Sequence, residues 1–201
     1  MSFTIFATAI ISSMLINNVI LMQFLGICPF LGVSKKSSSA VGMAGAVMFV
    51  MVIASAVTYT LYDLVLHPYN IPYISTIAFI LVIASLVQLV EIVIKKYSKS
   101  MYKSLGIYLP LITTNCAILG ISEANIINIW SDSTPFGAGL FVAVATAFGT
   151  ALGFGLVIFA FSSIRERLES ANVPAAWKGI PISLVVAGIM SLAFFGLAGI
   201  V

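Results

Sequence analysis

Gly26-Ile27-Cys28-Pro29-Phe30-Leu31-Gly32-Val33-Ser34 returns later in the chain as Thr114-Asn115-Cys116-Ala117-Ile118-Leu119-Gly120-Ile121-Ser122, so that both copies read Cys-x-x-Leu-Gly-(Val/Ile)-Ser. Cys28 and Cys116 are the only two cysteines. Each copy lies in an apolar segment interrupted by residues that a plain membrane helix avoids: Gly26 and Pro29 in the first, Pro110 and the run Thr113-Thr114-Asn115 in the second. The pattern divides the chain into two related halves, about 1–98 and 99–201, each built around one thiol.

Composition sets the solvent. With 61% hydrophobic residues, 7% charged and a mean hydropathy of +1.18, the chain lies far from soluble domains, in which about 25% of residues are charged. It is an integral membrane protein. The net charge of +3 comes from basic residues in short loops beside apolar spans, with no long basic face for nucleic acid. The first charge is Lys35, so the positive n-region of a cleavable signal is missing and the first span is expected to stay in the mature protein.

Six apolar spans follow, roughly Phe3 to Gly32, Val41 to Val65, Ile71 to Ile94, Leu105 to Ile121, Phe136 to Ile164 and Gly179 to Val201, against the about 20 residues a spanning helix needs. None alternates in polarity as barrel strands do. The fold class is therefore all-α integral membrane, since only helices and closed barrels satisfy their backbone inside lipid.

Threading six spans puts all nine Lys and Arg on one side: Lys35, Lys36, then Lys95, Lys96, Lys99, Lys103, then Arg165, Arg167, Lys178. The positive-inside rule makes that side cytoplasmic and both termini extracytoplasmic, together with Asp63, His67, Glu123 and Asp132. Three spans per half is an odd number, so the halves form a 3+3 inverted repeat. Such repeats place discontinuous helices near the midplane, and Pro29 and Pro110 each remove an amide hydrogen and crowd the carbonyl four residues back. The first and fourth helices are expected to be broken near the cysteines. Ala145, Gly149 and Gly153, at four-residue spacing, read as a close-packing face. Arg165-Glu166-Arg167 and Glu169 read as a solvated helix end stopped by Pro174.

Two thiols admit a disulfide, which no motif recommends, and two further readings. They can be small buried hydrophobes, or they can be metal ligands, in which case an iron-sulfur cluster wants four thiolates and the chain supplies two. No Cys-x-x-Cys or His-x-x-x-His spacing suggests zinc.

At these residues the chain resembles a known family. Asn17-Asn18-Val19, Phe24 through Lys36, Leu109-Pro110-Leu111-Ile112-Thr113-Thr114-Asn115-Cys116-Ala117, Arg165-Glu166-Arg167 with Val173-Pro174, and Met190-Ser191-Leu192-Ala193-Phe194 are similar to the RnfA subunits of Rnf electron-transport complexes. The paralogous NqrE subunits of the sodium-pumping NADH:quinone reductase share much of this pattern. The resemblance covers the whole chain. It implies a partner, an RnfE-like six-helix subunit of opposite orientation, and a 2Fe-2S cluster held between the two through two cysteines each, at positions matching Cys28 and Cys116. It implies a complex with RnfB-, RnfC-, RnfD- and RnfG-like subunits that passes electrons between ferredoxin and NAD and moves Na+ or H+. Around such a cluster Gly26, Pro29, Thr113, Thr114 and Asn115 are the expected surroundings, with helix capping the competing role for the polar ones.

An ion path has weaker marks. Ser85, Gln88 and Glu91 form a polar stripe on the third span, and an intramembrane acid is a functional candidate; Glu91 also stands four residues before Lys95, the order of a helix ion pair. Asn17, Asn18 and Gln23 read as hydrogen-bonding groups between helices, and His67 as solvated. A secondary transporter with incidental cysteines, or a structural subunit, stands as the rival function.

Overall fold

The computed structural model describes residues 10–34, 37–69, 72–97, 111–112, 115–130, 135–170, 174 and 177–198. Among these the regular structure is entirely helical. A π-helical turn, Ser12–Ile16, is followed by α1 (Ile27–Val33) and by α2 (Ser37–Leu61), which runs on through a second π-helical turn, Tyr62–Leu66. A 3-10 turn, Pro72–Ile74, leads into α3 (Ser75–Tyr97); α4 (Cys116–Ile129), α5 (Phe136–Ser170) and α6 (Ile180–Ala198) complete the order. Ser37–Leu66, Ser75–Ile92 and Phe136–Ser170 are long and apolar enough to cross a bilayer, and Cys116–Ile129 and Ile180–Gly196 are shorter apolar helices.

Side-chain contacts fix the direction of each helix. Ser37 at the start of α2 donates its amide to Glu166 Oε1 near the end of α5 (2.9 Å), and Ser55 Oγ farther along donates to the Ala143 carbonyl (3.2 Å). These two helices therefore run antiparallel, and theirs is the most extensive pairing in the bundle. The end of the bundle that carries Lys95, Lys96 and Arg165 is the basic end. At the opposite end Trp130 Nε1, just past α4, donates to Asp63 Oδ1 (2.9 Å), and Thr76 at the start of α3 bonds Glu123.

Three sequence expectations change. The first predicted span, Phe3 to Gly32, is broken as expected, but between Asn17 and Gly26 and not at Pro29. Pro29 is the third residue of α1, in the first turn, where a helix amide has no intrahelical acceptor to lose. The fourth predicted span, Leu105 to Ile121, restarts at Cys116 and continues to Ile129, so Glu123 is on a helix and not in a loop; Leu105 to Pro110 lie outside the described residues. The fifth runs past Ile164 to Ser170 with the expected helix end at Arg165-Glu166-Arg167, but Arg165 is buried there and not solvated.

Lipid offers no hydrophobic drive between helices, so close approach of small residues carries the packing. A Cβ on Gly149 would stand 2.8 Å from Ile10 Cα, and one on Gly153 would stand 2.6 Å from the Met14 carbonyl and 3.0 Å from Asn18 Nδ2. The stub of the first span thus lies against the backbone of α5, as the four-residue spacing suggested. Gly153→Ala is expected to destabilise the detergent-solubilised protein by about 1–3 kcal/mol, the usual cost of overpacking, read as a lower thermal midpoint. Gly188→Ala, whose Cβ would meet nothing within 4 Å, is the control that should not move it.

Candidate functional site

Each cysteine begins a half-helix. In the first span the helix widens to a π turn, with Asn17 N–H bonded to the Ser12 carbonyl (2.9 Å), and then ends. Buried Asn18 manages the freed backbone: its Nδ2 donates to the Met14 carbonyl (3.1 Å) and its Oδ1 accepts from the amides of Ile20 (3.1 Å) and Leu21 (3.4 Å). Ser191 Oγ of α6 donates to the Leu21 carbonyl (2.7 Å). Irregular backbone at membrane depth survives only with such partners. The chain turns through two left-handed residues, Phe24 (φ 55°) and Gly26 (φ 82°), before α1 starts.

The second break is an N-cap. Asn115 Oδ1 accepts from the Ala117 amide (3.1 Å), which satisfies one of the orphan donors of the first turn of α4. Its Nδ2 is buried and finds no partner among the described residues. Asn18 and Asn115 thus serve their own breaks; the reading of Asn18 as a bond between helices is corrected to a local cap.

The two breaks meet. Gly26 N–H donates to Cys116 Sγ at 2.9 Å. A Cβ on Gly26 would stand 3.0 Å from the Phe154 ring, 3.2 Å from Asn115 Oδ1 and 3.3 Å from Ala117 Cβ, so this position needs glycine for space as well as for its positive φ. From this point α1 runs to the basic end and α4 to the opposite end. The seven residues of α1 and the 14 of α4 rise about 10 Å and 21 Å, which together match the ~30 Å hydrocarbon thickness. Cys28 and Cys116 occupy the first turns of their helices, and both are exposed on the surface of the chain, unlike packed core thiols. Thr113 and Thr114 lie outside the described residues.

A second feature escaped the sequence reading. A cleft of about 490 Å³ opens beside the first break, lined by Asn17, Gln23, Asn125, Asn128, Thr146 and Thr150 among others, none of them charged. The hydroxyls of Thr146 and Thr150 donate to the carbonyls of Val142 (2.8 Å) and Thr146 (2.9 Å) on their own helix, which leaves their lone pairs for the cleft. Asn125 Nδ2 is held by Ser55 Oγ (2.7 Å) and the Ala143 carbonyl (3.2 Å). Gln88, exposed, and Glu91, half-buried, belong to α3 and are not among the residues lining this cleft. His67 is not merely solvated: its ring lies 4.5 Å from that of Trp130.

Comparison with known proteins adds the family context. A family model described as "Rnf-Nqr subunit, membrane protein" matches residues 6–201. The chain is 52% identical over 189 residues, 94% of either chain, to a protein of Acetobacterium woodii named as one subunit of the Na(+)-translocating ferredoxin:NAD(+) oxidoreductase complex. It is 52% identical over 192 residues (96% of this chain, 95% of the relative) to a Syntrophotalea carbinolica protein named as one subunit of an ion-translocating oxidoreductase complex, and 50% identical over 191 residues (95% of each) to its namesake from Azoarcus.

Proposed function

The chain belongs to the Rnf-Nqr family of membrane subunits, and from that premise we propose that it is the electron-relay subunit of an ion-translocating ferredoxin:NAD+ oxidoreductase. In this reading Cys28 and Cys116 supply two of the four thiolates of a 2Fe-2S cluster, and a related subunit of opposite orientation supplies the other two. The observation that carries it is the Gly26 amide on Cys116 Sγ, which brings both cysteine-bearing breaks to one place while both thiols stay exposed. The sequence holds no third cysteine, so in this reading the other two thiolates come from outside the chain.

The donor set fits such a group. Two sulfurs stand at helix first turns, one already receives a backbone N–H, and the unpartnered Nδ2 of buried Asn115 adjoins Cys116. When bound, a cluster supplies a one-electron acceptor inside the hydrocarbon. The protein's part would be electrostatic: the Gly26 amide on Cys116 Sγ and the first-turn amides of α4 would favour the more negative, reduced form of such a group. The oxygen-lined cleft supports an ion route in the same subunit, since neutral oxygens replace part of a cation's hydration shell without the tight hold of a carboxylate.

Assembly tests the proposal. Purified anaerobically by itself, the chain should be colourless and free of iron. Co-purified with its related partner it should carry two irons, visible absorbance and a paramagnetic signal on reduction. A pair without iron in a complex that still transfers electrons would overturn the relay and return the secondary-transporter reading. Iron held by the chain alone would overturn the shared site.

A further inference from the structure

Arg165 is 8% exposed, and a buried guanidinium persists only where its charge is compensated. Its NH1 donates to the Leu31 carbonyl (2.7 Å) and to Ser34 Oγ (2.8 Å). Leu31 is in the last turn of α1 and Ser34 is its C-cap, where carbonyls lack intrahelical donors and the dipole favours a cation. Neighbouring residues of α5 hold the same turn. Glu166 Oε1 accepts from the Ser37 amide (2.9 Å), Ser162 Oγ meets Ser37 Oγ (3.3 Å), and the Phe161 ring stacks on Phe30 at 4.0 Å.

A seven-residue helix cannot hold itself, because nucleation costs more than so few bonds return. One end of α1 carries Cys28 and the other is gripped by Arg165. Leu31 stands three positions after Cys28 on the helix, about 4.5 Å of rise. Whatever fixes the Leu31 end therefore fixes the sulfur, and a cation bound there lies close enough in a low-dielectric interior to act on a charge at Cys28.

We propose that Arg165 is the positioning residue of the electron relay, anchoring α1 from its C-terminal end and so setting both where Cys28 stands and the potential of the group it would ligate. The second half of this statement rests on the cluster reading above; the first does not.

The test separates them. In membranes holding the chain without its partner, and so without a cluster, a membrane-permeant maleimide should modify Cys28 faster in Arg165→Gln than in the native chain, by about fivefold or more, the factor expected from losing one such anchor. Cys116, on α4, should react at its native rate and is the internal control. Ser34→Ala removes one acceptor and keeps the charge, and should give a smaller acceleration confined to Cys28; it also serves if Arg165→Gln fails to insert. In the complex with its partner, Arg165→Gln should keep the paramagnetic signal but shift its midpoint to more negative values, and Arg165→Lys should recover the potential without restoring the native modification rate at Cys28. A native ratio of Cys28 to Cys116 modification in the inserted variants overturns the anchor. An unchanged midpoint with a raised ratio overturns the electrostatic half alone.

Discussion

Serine at Cys28 or at Cys116 is expected to leave the chain inserted and bound to its partner, yet to abolish the paramagnetic signal of the complex and reduce ferredoxin-dependent NAD+ reduction to background. Both side chains are exposed, so exchanging sulfur for oxygen removes little packing, and a merely structural cysteine would cost within about 1 kcal/mol. The contact most open to a structural explanation is the Gly26 amide on Cys116 Sγ, and serine keeps an acceptor at that atom. A loss of function cannot then be assigned to a broken turn. Cluster ligation is all or none by comparison, because a hydroxyl is a poor substitute for a thiolate toward iron. Since each sulfur would supply one ligand of the same group, the two substitutions should be equally severe and the double variant no worse than either. A complex with either serine that retained both its spectrum and its turnover would return the cysteines to an incidental role.

How much of this was legible follows from what kind of signal each residue carries. Local chemistry was readable. The repeated Cys-x-x-Leu-Gly motif, Gly26 and the Asn115 cap announced two interruptions in apolar segments, and Gly149 and Gly153 announced a close approach. Pro29 was misassigned because a proline breaks a helix only from the second turn onward, and the true start of α1 was set by Asn18 and Gly26 upstream. The Asn17-Asn18 pair, able to cap and to line a cleft, was the available signal. Arg165 could not be read at all. In sequence it lies in a charged run that resembles a solvated end, and its burial exists only because the turn after α1 folds onto α5 across more than a hundred residues of intervening chain. Glu123 was placed in a loop for a related reason: counting a span from Leu105 exhausts the bilayer thickness at Ile121, whereas a helix restarted inside the membrane at Cys116 has further to go.

Reporters should divide by bundle end. A fusion after Tyr97 or Ser170 is expected to behave as cytoplasmic, and one after Trp130 or Ala198 as extracytoplasmic, with all-or-none differences in activity. Sequence supports this through the placement of all nine Lys and Arg on one side. The contacts supply a second argument. The stub of the first span passes from Ile10 beside Gly149 to Met14 beside Gly153, so it runs parallel to α5, toward the basic end, and α1 continues in that sense to Arg165. The N-terminal side of the stub therefore faces the opposite end. α6 begins beside Lys178 at the basic end, where Ile182 and Ser183 share a small cleft with Arg165. Its 19 residues rise about 28 Å, enough to reach the opposite face of a hydrocarbon layer ~30 Å thick. Ile10 at the start of the stub and the end of α6 then lie toward the same end of the bundle, and α1 and α4 diverge from one point toward opposite ends. A cytoplasmic reporter after Ala198 would remove both the six-span count and the inversion that the sequence predicts.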